Sequence, residues 1–221
     1  MPVGTIVVQE SPIFTAKEKQ SGFTPYNYKT ISRINHSCAP NVFLSWIQGD
    51  ESKVEKQVRV VREIKEGEEI LVRYWGANKF ASKDKRQEEL RNWWDITSCI
   101  CEVCSLTGDK LIENERARKK IRDLHADAEV KQTVGLPKLA YEAAKEKLKI
   151  MRSMEKEMVA DLPMALGECG MMASVCNLPT AEFMKEAKDM SELFGDNYVN
   201  LYMKTKEMIE MNRLDAAMNS M

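Results

Sequence analysis

The sequence predicts an α+β protein in which short strands fill the first half and helical hairpins the second. Two observations carry this. All four Trp lie before position 95, whereas every Met but Met1 lies after position 150. The apolar pattern also changes from β-branched runs of a few residues to a helical repeat of three and four.

The strands come first. Thr5-Ile6-Val7-Val8 is a β-branched run, Val42 to Ile47 is a second with aromatics, and Val58 and Val60 alternate with Arg59 and Val61 beyond a polar turn at Gly49-Asp50. Gly67 is the turn glycine of Lys65-Glu66-Gly67-Glu68, ahead of the strand Ile70-Leu71-Val72. From Lys83 the pattern turns helical, with Arg86-Gln87-Glu88-Glu89-Leu90 forming a short helix.

The helices follow. Ala117, Ile121, Leu124 and Ala128 line one helical face, and the Arg and Lys between them are expected to face water. Pro137 fits the first turn of a helix running towards Met158, with Ala140, Ala144, Leu148 and Met151 inward. Asp161 is placed as an N-cap before Leu162-Pro163, Leu178-Pro179-Thr180 as a tight connection, and Gly195 as a C-terminal stop. Short connections turn each helix back on the last, so the region from about Asp109 is expected to pack as its own unit of hairpins. Its methionines are assigned to the core in preference to a partner groove.

Composition excludes several functions. The chain has 221 residues, 33 basic and 34 acidic, for a formal charge of -1. No excess of cations drives phosphate binding, so no direct nucleic-acid partner is expected. No apolar run nears the ~18 residues of a membrane span, and the start Met-Pro-Val-Gly lacks signal-peptide character. An intracellular protein without a membrane partner is expected, in nucleus or cytoplasm.

Chemistry concentrates in two places. Cys99, Cys101 and Cys104 supply three thiolates within six residues, close enough for one Zn²⁺ at about 2.3 Å per sulfur. A structural site needs a fourth ligand. Cys169 and Cys176 share a helical face and suit a core, and His125 lies on a charged helix. Cys38 is the better fourth ligand, provided the fold brings its loop to the cluster. That loop, Asn35-His36-Ser37-Cys38-Ala39-Pro40-Asn41, is the second concentration. Its short polar side chains predict irregular backbone that can offer peptide groups and an amide to a polar ligand.

The run Ser32 to Asn41, then Gly67-Glu68-Glu69-Ile70-Leu71-Val72-Arg73-Tyr74, then Cys99-Ile100-Cys101-Glu102-Val103-Cys104 resembles the ordered signature of SET-domain protein lysine methyltransferases. Gly4 to Pro12 is similar to an early strand of that family. The resemblance covers roughly the first half of the chain, and its nearest pattern is the branch of the SET and MYND domain proteins. No MYND finger is seen here.

The resemblance implies a SET-type β fold with a pseudoknot, a zinc-bound post-SET segment, and a tetratricopeptide-like helical tail. The implied divisions are a SET domain over 1–95, incomplete at its N-terminus, a post-SET segment over 96–108 and a helical domain over 109–221. It implies S-adenosyl-L-methionine as cofactor, bound by Asn35 and His36 with Tyr74 at the methyl-transfer channel. It implies structural zinc on Cys38, Cys99, Cys101 and Cys104, which supplies the fourth ligand. The implied activity is methyl transfer to a lysine amine of a protein substrate, histone or non-histone.

Departures from the pattern shape the alternative. The glycine-rich motif that wraps part of the cofactor should precede the first strand, yet Met1 lies three residues before Gly4, so weak cofactor binding is expected of the chain as it stands. The stretch from Gln20 to Ile31 is shorter than the branch's insert at the substrate groove. The aromatic expected over the adenine falls on Trp94 or Ile96. The alternative function is a weak or inactive SET scaffold whose helical region binds a partner protein.

Overall fold

A computed structural model describes residues 1–10, 28–47, 55–74, 80–195 and 203–211, with positions 214 and 218. Among the described residues there are five strands: β1 Ile6–Glu10, β2 Asn35–His36, β3 Val42–Ile47, β4 Glu55–Val60 and β5 Leu71–Val72. Strands β1, β4 and β3 form an antiparallel sheet in that order, and β2 pairs in parallel with β5. The expected turn at Gly49-Asp50 lies outside the described residues. Val42, Val58 and Val60 are fully buried, joined by Tyr28, Ile31, Ile64 and Val72 in the core beneath the strands. Alternation of apolar and polar positions sets which face is buried.

The first helix, α1, runs Lys83–Trp94, longer than the five residues read from the sequence. Ser82 caps its start by accepting from the Lys85 amide at 3.4 Å, and Asp95 ends it in the left-handed conformation. Four longer helices follow: α2 Gly108–Thr133, α3 Pro137–Ser153, then beyond a short α4 Glu155–Met158, α5 Leu162–Val175 and α6 Ala181–Phe194. Each of α3, α5 and α6 packs on the long helix before it. Their common core holds Ile121, Leu124, Ala128, Ala140, Ala144, Leu148, Met151 and Leu166. Among the described residues no helix is long and apolar enough to cross a membrane.

Four expectations need correction. The helix from Pro137 ends at Ser153, where Met154 turns the chain, and does not run on to Met158. Arg118 does not face water but is 1% exposed, held by Asn114 and Glu157. Asp161 makes no side-chain cap, because its carboxylate is taken by Arg73. Asn35-His36 is not irregular but pairs as a strand. The methionines divide: Met151, Met158 and Met172 are buried, whereas Met164, Met203, Met208 and Met211 are exposed.

The helical layer has its own core and is also fastened to the strands. Val61 of the strand half meets Val159 and Phe194 of the helical half in a small apolar cluster. Gly195 lies so close to the sheet that a methyl on it would stand 2.7 Å from Arg59 Nε and 2.8 Å from Ser45 Oγ. Its φ of +101° is open to glycine and closed to most other residues.

Candidate active site and metal centre

The short parallel ladder builds the site. Asn35 aligns with Leu71 and His36 with Val72, and the Ser37 amide extends the ladder by donating to the Val72 carbonyl at 2.9 Å. Asn41, fully buried, locks the two segments together. Its carboxamide donates to the Glu69 carbonyl and accepts from the Leu71 amide, both at 2.7 Å. Two bonds to facing backbone groups satisfy peptide dipoles that burial would otherwise penalise.

This ladder carries Tyr74 to His36. The Tyr74 amide donates to His36 Nδ1 at 3.0 Å, which leaves the ring proton on Nε2, 3.5 Å from Cys38 Sγ. Burial pushes the imidazole down to about 4, with Arg73 and Arg86 acting in the same sense and Cys101 against them, so the ring is neutral at physiological pH. The Tyr74 hydroxyl donates to the Ile34 carbonyl at 2.9 Å, and burial raises its pKa. Its ring meets His36 edge-on at 5.2 Å between centroids and Trp94 at 4.8 Å, tilted by 48°. Three aromatic rings thus wall one spot.

The structure distinguishes Trp94 from Ile96. Ile96 packs against the buried group of Cys38, Leu90, Cys99 and Val103, whereas Trp94 lies beside Tyr74 with 46% of its surface exposed. The Asn35 side chain is also exposed, and donates to Glu69 Oε1 at 2.7 Å. It sits on the same ladder as His36.

The four cysteines converge. The turn after His36, closed by Ser37 Oγ accepting from the Ala39 amide at 3.0 Å, directs Cys38 towards Cys104, with the sulfurs 3.6 Å apart. Gln87 of α1 holds the other segment in place: its side chain donates to the Cys99 carbonyl at 2.9 Å and accepts from the Cys99 amide at 2.7 Å. Nothing in the local sequence pattern singles Gln87 out. All four sulfurs lie within 4.8 Å of one another, and none is in a disulfide.

This geometry fits a metal. Sulfurs at about 2.3 Å from a tetrahedral ion stand roughly 3.8 Å apart, close to the Cys38–Cys104 spacing. Hydrogen bonds from the other three sulfurs hold the Cys101 thiol far below its ordinary pKa, and hydrogen bonds with Cys101, Cys104 and Cys99 push Cys38 far above. Four thiolates cannot share so small a volume without a cation. The cluster could therefore hold a metal ion.

Three arginines surround the centre. Arg73 donates to Asp161 Oδ2 and the Glu157 carbonyl, each at 2.7 Å, and to the Cys38 carbonyl at 3.4 Å. Arg118 pairs with Glu157, and Arg86 lies against Cys104. Sequence reading missed all three, since a lone arginine in a strand or helix has the same local pattern whether solvated or buried.

Residues 7–75 match the family described as SET domain. The chain is 31% identical over 119 residues to the histone-lysine N-methyltransferase set5 of Schizosaccharomyces pombe, covering 54% of this chain and 35% of that protein. It is 30% identical over 119 residues to the histone-lysine N-methyltransferase SMYD3 of Mus musculus, covering 49% and 26%. With the N-lysine methyltransferase SMYD2 of Homo sapiens it shares 32% identity over 97 residues, covering 44% and 19%. The matched segments span about a third or less of these relatives' lengths. The ordered motifs, the domain match and these relatives agree: residues 7–75 carry a SET domain, and the chain around it is similar to SET5 and SMYD lysine methyltransferases.

Proposed function

We propose that the chain is part of an S-adenosyl-L-methionine-dependent protein-lysine N-methyltransferase. The observation that carries this reading is the parallel pairing of Asn35-His36 with Leu71-Val72, which sets Tyr74 between His36 and Trp94. The paths of these segments, with β3 and β4 lying between them in the chain, support the pseudoknot of the family.

The cofactor supplies an electrophilic methyl group on a sulfonium. Asn35 and His36 hold it through the ladder's exposed edge, and Trp94 is the aromatic that covers the adenine. Tyr74 aligns the incoming lysine amine, so its contribution is orientation and electrostatics. A free lysine with a pKa near about 10.4 is mostly cationic, and only the neutral amine is a nucleophile. Desolvation in a narrow apolar channel and the positive charge of the sulfonium would both disfavour the ammonium and raise the neutral fraction. Cys38, Cys99, Cys101 and Cys104 would hold a structural zinc, which would fasten the post-SET segment to the turn after His36.

The substrate is a protein lysine, histone or non-histone, and the setting is nuclear or cytoplasmic. The divisions 1–95, 96–108 and 109–221 are SET domain, post-SET segment and tetratricopeptide-like helical domain. The test is calorimetric titration of the full-length protein with S-adenosylmethionine, followed by transfer of labelled methyl to histones and to cell-extract proteins. Heat of binding with label in protein supports the reading. Binding of neither cofactor nor its demethylated product overturns it.

A further inference from the structure

The structure assigns Arg86 a role at the cysteine centre: its buried guanidinium is the counter-charge of a four-thiolate site loaded with a divalent metal. The assignment rests on the reading of the cysteines as a metal site.

Arg86 lies on α1 and is 1% exposed. One arm donates to the Ala81 carbonyl at 2.6 Å, and the other reaches Cys104 Sγ at 3.8 Å. Its Nε has no hydrogen-bond partner among the described residues. Among the described residues the carboxylate paired with it is Glu115 at 3.8 Å, which is partly exposed and already accepts from the Lys83 amide at 2.9 Å. A guanidinium in such a place calls for an opposite charge close by, because an unpaired buried ion is strongly destabilising.

The neighbouring arginines are committed elsewhere, Arg73 to Asp161 and Glu157, and Arg118 to Glu157 and Asn114. What remains for Arg86 is sulfur. Four neutral thiols offer it no charge, whereas four thiolates around a divalent ion carry a net charge of -2. The buried cation and the loaded centre therefore stabilise each other, and α1 is held to the post-SET segment by charge as well as by Gln87. Outer partners of this kind typically alter metal affinity by about 10- to 100-fold.

The test compares the full chain with Arg86→Gln and Arg86→Lys, reading zinc content and zinc transfer to a colorimetric chelator. Zinc held by wild type and the lysine variant, with the glutamine variant weaker by about tenfold or more, is the expected result. Equal affinity in the glutamine variant overturns the role of Arg86 while leaving the metal reading intact. Equal losses in both variants overturn it too, since that pattern marks packing and not charge. Wild type without zinc overturns the metal reading itself, and the assignment with it. Should the glutamine variant fail to fold, hydrogen exchange on wild type stripped of zinc under reducing conditions decides. Faster exchange across residues 81–90, beyond the cysteine segment, supports the assignment, and change confined to residues 99–106 overturns it.

Discussion

Arg73, the residue before Tyr74, binds Asp161 across 88 positions of sequence at 2.7 Å, with the two side chains 15% and 10% exposed. The strand that presents Tyr74 is thereby anchored in the turn that precedes α5. Removing one partner of a buried pair leaves the other charge stranded, at a cost of roughly 3 kcal/mol. Asp161→Ala should lower the urea midpoint accordingly, and an unchanged midpoint would show that the Glu157 and Cys38 carbonyls suffice to hold Arg73.

Asn41→Ala deletes both bonds to the Glu69 and Leu71 backbone in a fully buried place. A stranded buried amide costs about 1–3 kcal/mol. The loss should appear in equilibrium unfolding, and amide exchange at Leu71 should quicken. Slow exchange at Leu71 in the variant would refute the locking role of Asn41.

Tyr74→Phe removes a hydroxyl that now donates to the Ile34 carbonyl. In full-length protein the variant should lose turnover by about ten- to a hundredfold, the equivalent of one hydrogen bond to a charged centre, with cofactor affinity changed far less. Equal losses in affinity and turnover would place the hydroxyl in cofactor binding.

One zinc per chain is expected from protein purified without chelator. Thiolate ligands take up protons as pH falls, so zinc should leave on acidification and stay bound above neutrality. Cys101→Ser should expose the post-SET segment to protease. Metal analysis that finds none would sink this prediction.

Gly195→Ala tests the docking of α6 on the sheet. Its backbone, at φ +101° and ψ -177°, belongs to a region nearly closed to other residues, and the added methyl meets Arg59 and Ser45. A destabilisation of about 1–3 kcal/mol is expected in thermal or denaturant unfolding.

Local pattern made much of this molecule legible. The valines at 42, 58 and 60 and the helical face of Ile121, Leu124 and Ala128 are buried where alternation and periodicity place them. Cys169 is core, as its helical face implied. The convergence of Cys38 with Cys104 was legible from chemistry more than from pattern, because three clustered thiolates ask for a fourth. What stayed hidden depends on partners far along the chain. Arg118 reads as a solvated helix position until Glu157 is placed beside it, 39 residues later. Asp161 has the composition of an N-cap, but the half-buried Arg73 guanidinium competes for its carboxylate and wins. Trp94 and Ile96 are near neighbours in sequence, and only the left-handed turn at Asp95 sends one to Tyr74 and the other to the cysteines.

The parallel pairing of Asn35-His36 with Leu71-Val72 also fixes an order in time. A parallel pair cannot close through a tight hairpin, and the loop between these strands must first be organised, here by β3 and β4. During synthesis the ribosome releases His36 long before Val72, Cys38 long before Cys104, and Arg73 long before Asp161. Every element of the candidate site therefore waits on residues made later, and a nascent chain halted before Asp161 carries the motifs without the site. Chaperone demand should be greatest before these pairings close, when β2 is an unpaired strand and the thiol of Cys38 is open to oxidation.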